Sequence, residues 1–218
     1  MQIAIDGPAS SGKSTVAKII ADKLNLVYLD TGAMYRAVTL YILDNNIDYI
    51  NIDELNNALK LITIDFKGSV SQQEVYLNGT NVSKEIRTSR VTQHVSEISA
   101  IEIVRKFLVK QQQAIATNHS VIMDGRDIGT VVLPEADYKF YLIASSRVRA
   151  ERRFQENLLK GYSNQTIDEI EQSIIDRDSY DMNREISPLM KANDAIEIDT
   201  SLLDIEQVVQ EILLHIVK

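Results

Sequence analysis

Residues 7–14 read Gly-Pro-Ala-Ser-Ser-Gly-Lys-Ser, which fits the phosphate-binding pattern G-x-x-x-x-G-K-[ST]. The segment follows the short apolar run Gln2-Ile-Ala-Ile-Asp6. It leads into Thr15–Leu24, where Val16, Ile19, Ile20 and Leu24 fall on one helical stripe. Strand, glycine-rich turn and helix in that order is the context the pattern requires. Glycines let the backbone curl so that successive N–H groups converge, and the helix N-terminus adds partial positive charge. The loop therefore places Gly7, Pro8, Ala9, Ser10, Ser11, Gly12, Lys13, Ser14 and Thr15 around the phosphates of a bound nucleotide. Lys13 reaches the β- and γ-phosphates, and the Ser14 hydroxyl is a ligand for Mg²⁺.

The rhythm continues downstream. Leu26–Leu29 reads as a second strand and Thr31–Leu43 as a second helix, so β-loop-α-β-α predicts a parallel sheet with crossover helices. The middle differs. Leu61–Phe66, Glu74–Leu77 and Thr80–Val82 look like short strands, and Asn78-Gly79 between apolar runs signals a hairpin. Helical patterning returns from about Ser89 to Ala116, and buried-type strands follow at Val121–Asp124 and Tyr138–Ala144. A charged helical stretch then runs to a polar break around Gly161–Thr166, with a helix from Ile167 to Asn183 and a last strand at Ala195–Asp199. Ser201 with Asp204 resembles a capping box for the final helix. The sum is about five parallel strands covered by helices, one inserted antiparallel patch and one charged flap.

Composition narrows the partners. The 23 Lys+Arg against 31 Asp+Glu give a net charge of −8, a field that repels nucleic-acid polymers, so an anionic ligand needs a local cluster of cations. With no Cys there is no disulfide scaffold, cysteine nucleophile or thiolate metal site. The three His are scattered without metal-ligand spacing. No apolar run approaches the ~20 residues needed to span a bilayer, and the N-terminus lacks a signal-peptide pattern. A cytoplasmic monomer is expected.

A phosphate cradle alone leaves a nucleotide-gated switch and a kinase both open. A guanine-specific switch commonly carries N-K-x-D, but no Asn here is followed by Lys. A motor or transporter ATPase would usually end a hydrophobic strand in Asp-Glu, whereas Val121–Asp124 continues into Gly125. A small-acceptor kinase needs several Arg outside the loop, to hold an anionic acceptor and neutralise charge in transit. Arg36 lies one turn into the second helix, after Asp30-Thr31-Gly32. Asp124-Gly125-Arg126-Asp127 sits at the C-terminal end of a strand, the edge where ligands bind in open α/β sheets. Asp124 there suits contact with Mg²⁺ through water. Arg177, Asp181 and Arg184 recur at i, i+4 and i+7 on one helix face. Surface ion pairing is the plainer account of that stripe taken alone, but beside a phosphate loop the stripe reads as an anion-binding face. Arg147, Arg149, Arg152 and Arg153 read either as a solvated helix face or as a lid that closes over ATP and excludes water.

The runs IDGPASSGKST, LDTGAMYR, EIRT, DGRDIGTVV with a following Pro, and RDSYDMNR resemble the bacterial cytidylate kinase family over essentially the whole chain. The resemblance implies an α/β fold: a P-loop NTPase-type three-layer α/β/α with a five-stranded parallel sheet, an inserted small antiparallel β subdomain and a helical lid. Its core would be 1–30, 117–146 and 167–218, its monophosphate-binding region 31–116 with the β insert around 61–83, and its lid 147–166. It also implies transfer of a phosphoryl group from ATP, with Mg²⁺, to CMP or dCMP. Lys13, Arg126, Arg177 and Arg184 would be catalytic, and Arg149, Arg152 and Arg153 would join the phosphate loop at ATP. CMP would be held by Thr31, Arg36, Ser96, Arg105, Arg126, Asp127, Arg177, Asp181 and Arg184. Within that set Ser96, Arg105 and Asp127 would read the cytosine, and Asp181 the ribose.

Overall fold

The computed structural model describes residues 1–160 and 165–216; Gly161–Asn164, part of the expected polar break and of the lid span 147–166, lie outside them. β1 (Gln2–Asp6) is buried on both faces, as befits an apolar strand at the centre of a parallel sheet. β2 (Val27–Asp30) and β6 (Val121–Gly125) lie on one side of it, and β7 (Tyr138–Ile143) and β8 (Ile196–Asp199) on the other. The order is β2-β6-β1-β7-β8, all parallel.

Alternation along these strands makes two cores. Ala4 of β1 with Val121 and Met123 of β6 face a cluster under α2 (Thr31–Asp44), α4 (Ser89–Ala100) and α5 (Glu102–Asn118). Ile3, Ile5 and Ile122 face the opposite cluster, under α1 (Lys13–Leu24) and α8 (Ile205–Ile216). The result is the three-layer α/β/α arrangement. A third, small cluster of Ala150, Ile170 and Ile174 joins α6 (Ser146–Lys160) to α7 (Ile167–Asn183).

The insert follows α3 (Ile52–Leu59). Its strands β3 (Ile64–Lys67), β4 (Glu74–Leu77) and β5 (Thr80–Asn81) form a separate antiparallel sheet in that order. Asn78 and Gly79 both take positive φ, 49° and 81°, the turn that lets Leu77 pair directly with Thr80.

Several boundaries shift by one residue from the sequence reading, and four departures have a local physical cause or change an element. β2 begins at Val27, because Asn25 is left-handed and Leu26 N–H still donates to the Ala21 carbonyl. β3 begins at Ile64 rather than Leu61. The helical stretch from Ser89 is two helices, since Ile101 is extended at ψ 125°. The box opening α8 is Asp204 with Gln207, each side chain accepting the other's backbone N–H; the Ser201 hydroxyl instead accepts from the Ser145 amide at 3.1 Å. Among the described residues no helix is long and apolar enough to cross a membrane.

Candidate active site

The turn between β1 and α1 is shaped by one steric fact. Gly7 sits at φ 142°, and a Cβ there would lie 2.1 Å from the Leu142 carbonyl oxygen of β7. Only glycine passes so close to a neighbouring strand. Ser10 and Gly12 also take positive φ, and the loop curls back on the start of α1. Lys13 is buried, and its ammonium donates to the Pro8 carbonyl at 2.6 Å. Burial, and next the charge of Arg126, push its pKa down to about 7.

Beside it the Ser14 hydroxyl donates to Asp124 at 2.6 Å, and the Tyr28 hydroxyl donates to the other Asp124 oxygen at 2.8 Å. Burial first, then the nearby Asp30 carboxylate, raise Asp124 to about 6. A hydroxyl and a crowded carboxylate side by side are hard oxygen ligands, and a cation there would relieve the repulsion. Thr31 is also tied to this strand end, its hydroxyl donating to the Asp124 carbonyl at 2.7 Å.

A second group lies beyond the end of β6. Arg105, from the first turns of α5, is buried against Asp127; its guanidinium also donates to the Ser99 carbonyl at 3.0 Å and lies 5.3 Å from the centre of the Tyr35 ring. Arg184 Nη2 is 3.9 Å from Asp127, and Arg184 Nη1 is 3.9 Å from Asp181. Asp181 also accepts from Arg126 Nε at 3.1 Å and has Arg177 Nε at 3.9 Å. Ser96 is half-buried on α4, one turn before Ser99. A surface concavity of about 290 Å³, lined by Ala100, Tyr180, Asn183 and Arg184, opens beside this group.

Between the two groups the arginines crowd. Arg36 donates to Thr92 at 2.9 Å and to the Ile86 carbonyl. Burial, then the charges of Arg177, Arg153 and Arg87, hold its guanidinium well below the usual range. Burial and Arg126 lower Arg177 to about 10. Arg177 Nε and Arg184 Nη2 are buried with no hydrogen-bond partner among the described residues. Mutually repelling cations with spare donors are what an anion of several charges would satisfy.

The helix α6 contributes unequally. Arg153 Nε donates to the Ser10 hydroxyl at 3.1 Å, over the phosphate loop. Arg149 donates to the Ala9 carbonyl at 3.2 Å and to Asp178 at 2.5 Å. Arg152 points elsewhere: it donates to the Thr200 carbonyl at 2.5 Å and the Thr200 hydroxyl at 3.0 Å, and that hydroxyl donates to the Ser11 carbonyl. Arg152 thus braces the loop from behind. Arg147 is exposed and pairs with Asp168 and Glu171 of α7.

Sequence reasoning passed over Asp6, Tyr28, Tyr35, Asp178 and, as a binding residue, Arg87, which reaches Asp30 at 3.3 Å. Tyr28 lies in the apolar run of the second strand and Tyr35 in the second helix, where nothing local marks their hydroxyls. Only the EIRT run marked Arg87.

A family model described as Cytidylate kinase matches residues 3–218. A cytidylate kinase of Lactobacillus johnsonii is 54% identical over 97% of this chain and 92% of that protein. One of Bacillus thuringiensis is 48% identical over 98% and 94%. Among solved structures, a shikimate kinase from Bacteroides thetaiotaomicron shares the fold at a TM-score of 0.51 and 14% identity, covering 100% of this chain and 99% of that one.

Proposed function

This chain belongs to the cytidylate kinase family, phosphorylating CMP and dCMP to CDP and dCDP with ATP, and from that premise we propose which residues carry the reaction. The observation that supports the assignment is the convergence of Arg36, Arg126, Arg177 and Arg184 between the phosphate loop and the Arg105–Asp127 pair.

ATP takes the loop 7–15, with Lys13 on its terminal phosphates and Arg153 closing from α6. The acceptor's monophosphate takes the arginines. Its attacking oxygen is already anionic, so the chain supplies no strong general base. Alignment and neutralisation of charge do the work, and water is excluded as the competing acceptor. Mg²⁺ fits the hydroxyl and carboxylate of Ser14 and Asp124, directly or through water, and when bound would neutralise charge on the donor's phosphate oxygens.

Cytosine offers an amino donor at position 4 and acceptors at N3 and O2, so Asp127 and the Ser96 region accept while Arg105 donates. Uracil presents a carbonyl at position 4. A buried Asp127 left facing it costs about 1–3 kcal/mol or more. Asp181, held by Arg126, faces the ribose. A cytoplasmic monomer acting on free nucleotides is part of this reading, and the net charge of −8, which repels nucleic-acid polymers, supports the free nucleotides.

An acceptor screen with ATP and Mg²⁺ tests the reading. CMP and dCMP should drive ADP formation well above UMP, AMP or shikimate. Equal turnover of UMP would remove Asp127 and Arg105 from base recognition, and hydrolysis independent of any acceptor would turn the reading into a switch.

A further inference from the structure

Asp6 ends β1 directly before the phosphate loop, and its side chain is buried away from solvent. Its two carboxylate oxygens accept from the backbone N–H of Ile128 at 2.8 Å and of Gly129 at 2.7 Å. Those amides open a short π-helical turn at Ile128–Val132, whose own hydrogen bonds begin only with the Val131 and Val132 N–H groups on the Asp127 carbonyl. Without Asp6 both would be buried donors lacking an acceptor. The approach is tight: a Cβ on Gly129 would lie 3.4 Å from Asp6 and 3.2 Å from the Lys139 side chain.

The placement is costly as well as close. Burial raises the Asp6 carboxyl to about 7, against the pull of those two amides. The two amides go to different carboxylate oxygens, so asparagine would face one of them with its own NH2 donor, and an apolar side chain accepts from neither. On one side, then, the carboxylate is bonded through the chain to Gly7, which has no room to shift against Leu142. On the other it fixes the residue that follows Asp127.

We propose that Asp6 is a positioning residue for acceptor choice: it pins the 128–132 turn so that Asp127 stays against Arg105 and in reach of Arg184, and so sets the preference for cytosine over uracil. This rests on the reading of Asp127 given above. Asp6 touches neither nucleotide in this role and acts through Asp127.

Steady-state kinetics with CMP and UMP on the full chain, D6N, D127N and D6N/D127N test it. D6N should narrow the CMP:UMP ratio of kcat/KM by about tenfold or more, chiefly through KM for CMP, with KM for ATP changed less than about twofold. In the D127N background D6N should narrow the ratio no further. An unchanged ratio in D6N, or the same narrowing in both backgrounds, overturns the inference alone. An unchanged ratio in D127N overturns its premise and the inference with it. Should D6N fail to fold, hydrogen exchange on the unmodified protein decides. CMP should slow exchange of the Ile128 and Gly129 amides about tenfold and UMP less than about twofold, and equal effects of the two overturn the proposal.

Discussion

The Ser14 hydroxyl donates to a carboxylate oxygen of Asp124 at 2.6 Å, joining the start of α1 to the end of β6 across 110 residues. That contact places one oxygen ligand of the proposed cation site at the start of a helix and the other at the end of a central strand of the sheet. Asp124 is raised to about 6 by burial and then by Asp30, so below that value it is increasingly protonated. Proton and cation then compete for it. The Mg²⁺ concentration giving half-maximal rate should rise as pH falls through about 6. In Asp124→Asn that part of the pH dependence should vanish, with kcat down by about 10²–10³. Mg²⁺ titrations at several pH values check this; the same pH dependence in the variant would point to the nucleotide alone.

Lys13 carries a titration of opposite sign. Burial and Arg126 hold it at about 7, so near pH 8 most of the protein without nucleotide has it neutral. A bound triphosphate favours the ammonium and raises that pKa, so ATP binding near pH 8 should take up protons. Well below pH 7 Lys13 is already charged, and its share of the uptake should disappear. Calorimetry in two buffers of different ionisation enthalpy measures the proton flux. Lys13→Met, saturated with ATP, should show no uptake from this source and lose several orders of magnitude in kcat.

What was legible in the sequence was local. The phosphate loop, the short apolar strands and the Asn78-Gly79 turn each declare themselves within a few residues, because the required φ or burial is dictated there. The break at Ile101 has no Gly or Pro to announce it. It leaves the Ser99 carbonyl free to accept from Arg105, a contact made possible by the fold. Charge density likewise grouped Arg149, Arg152 and Arg153, yet their directions are set by Asp178, Thr200 and Ser10, all remote in sequence. The apolar run Leu26–Leu29 also gives no sign that β6 brings Asp124 to the Tyr28 hydroxyl.

The two loop glycines should respond differently to alanine. Gly7→Ala puts a Cβ 2.1 Å from a backbone carbonyl of β7, an atom no side-chain rotation can move away. A loss of about 4 kcal/mol or more is expected, with the phosphate loop displaced. At Gly12 nothing lies within 4 Å of the added carbon, and only the φ of 93° opposes it. Strain of about 1–3 kcal/mol is expected there. Denaturant melts of both variants give the comparison, and equal losses would mean that the contact with Leu142 relaxes.

Arg152 and Arg153 are adjacent, and their alanine variants should separate stability from donor binding. Arg152 bonds the Thr200 carbonyl and hydroxyl, and Thr200 is buried. Removing the guanidinium leaves those oxygens short of a donor, at about 1–3 kcal/mol. A Tm lower by about 2–4 °C for each kcal/mol lost should follow. Once the protein is folded, kcat should change little, because the guanidinium donates to Thr200 and the Leu203 carbonyl and to no group of the phosphate loop itself. Arg153 is half-buried, and its contacts, with the Ser10 hydroxyl and with Glu156 at 3.7 Å, are ones a bound phosphate would compete with. Arg153→Ala should therefore keep its Tm while KM for ATP rises about tenfold, the loss of one charge-assisted hydrogen bond. The reverse pattern, with Arg152→Ala stable but weak for ATP, would show that α6 rotates before ATP is held.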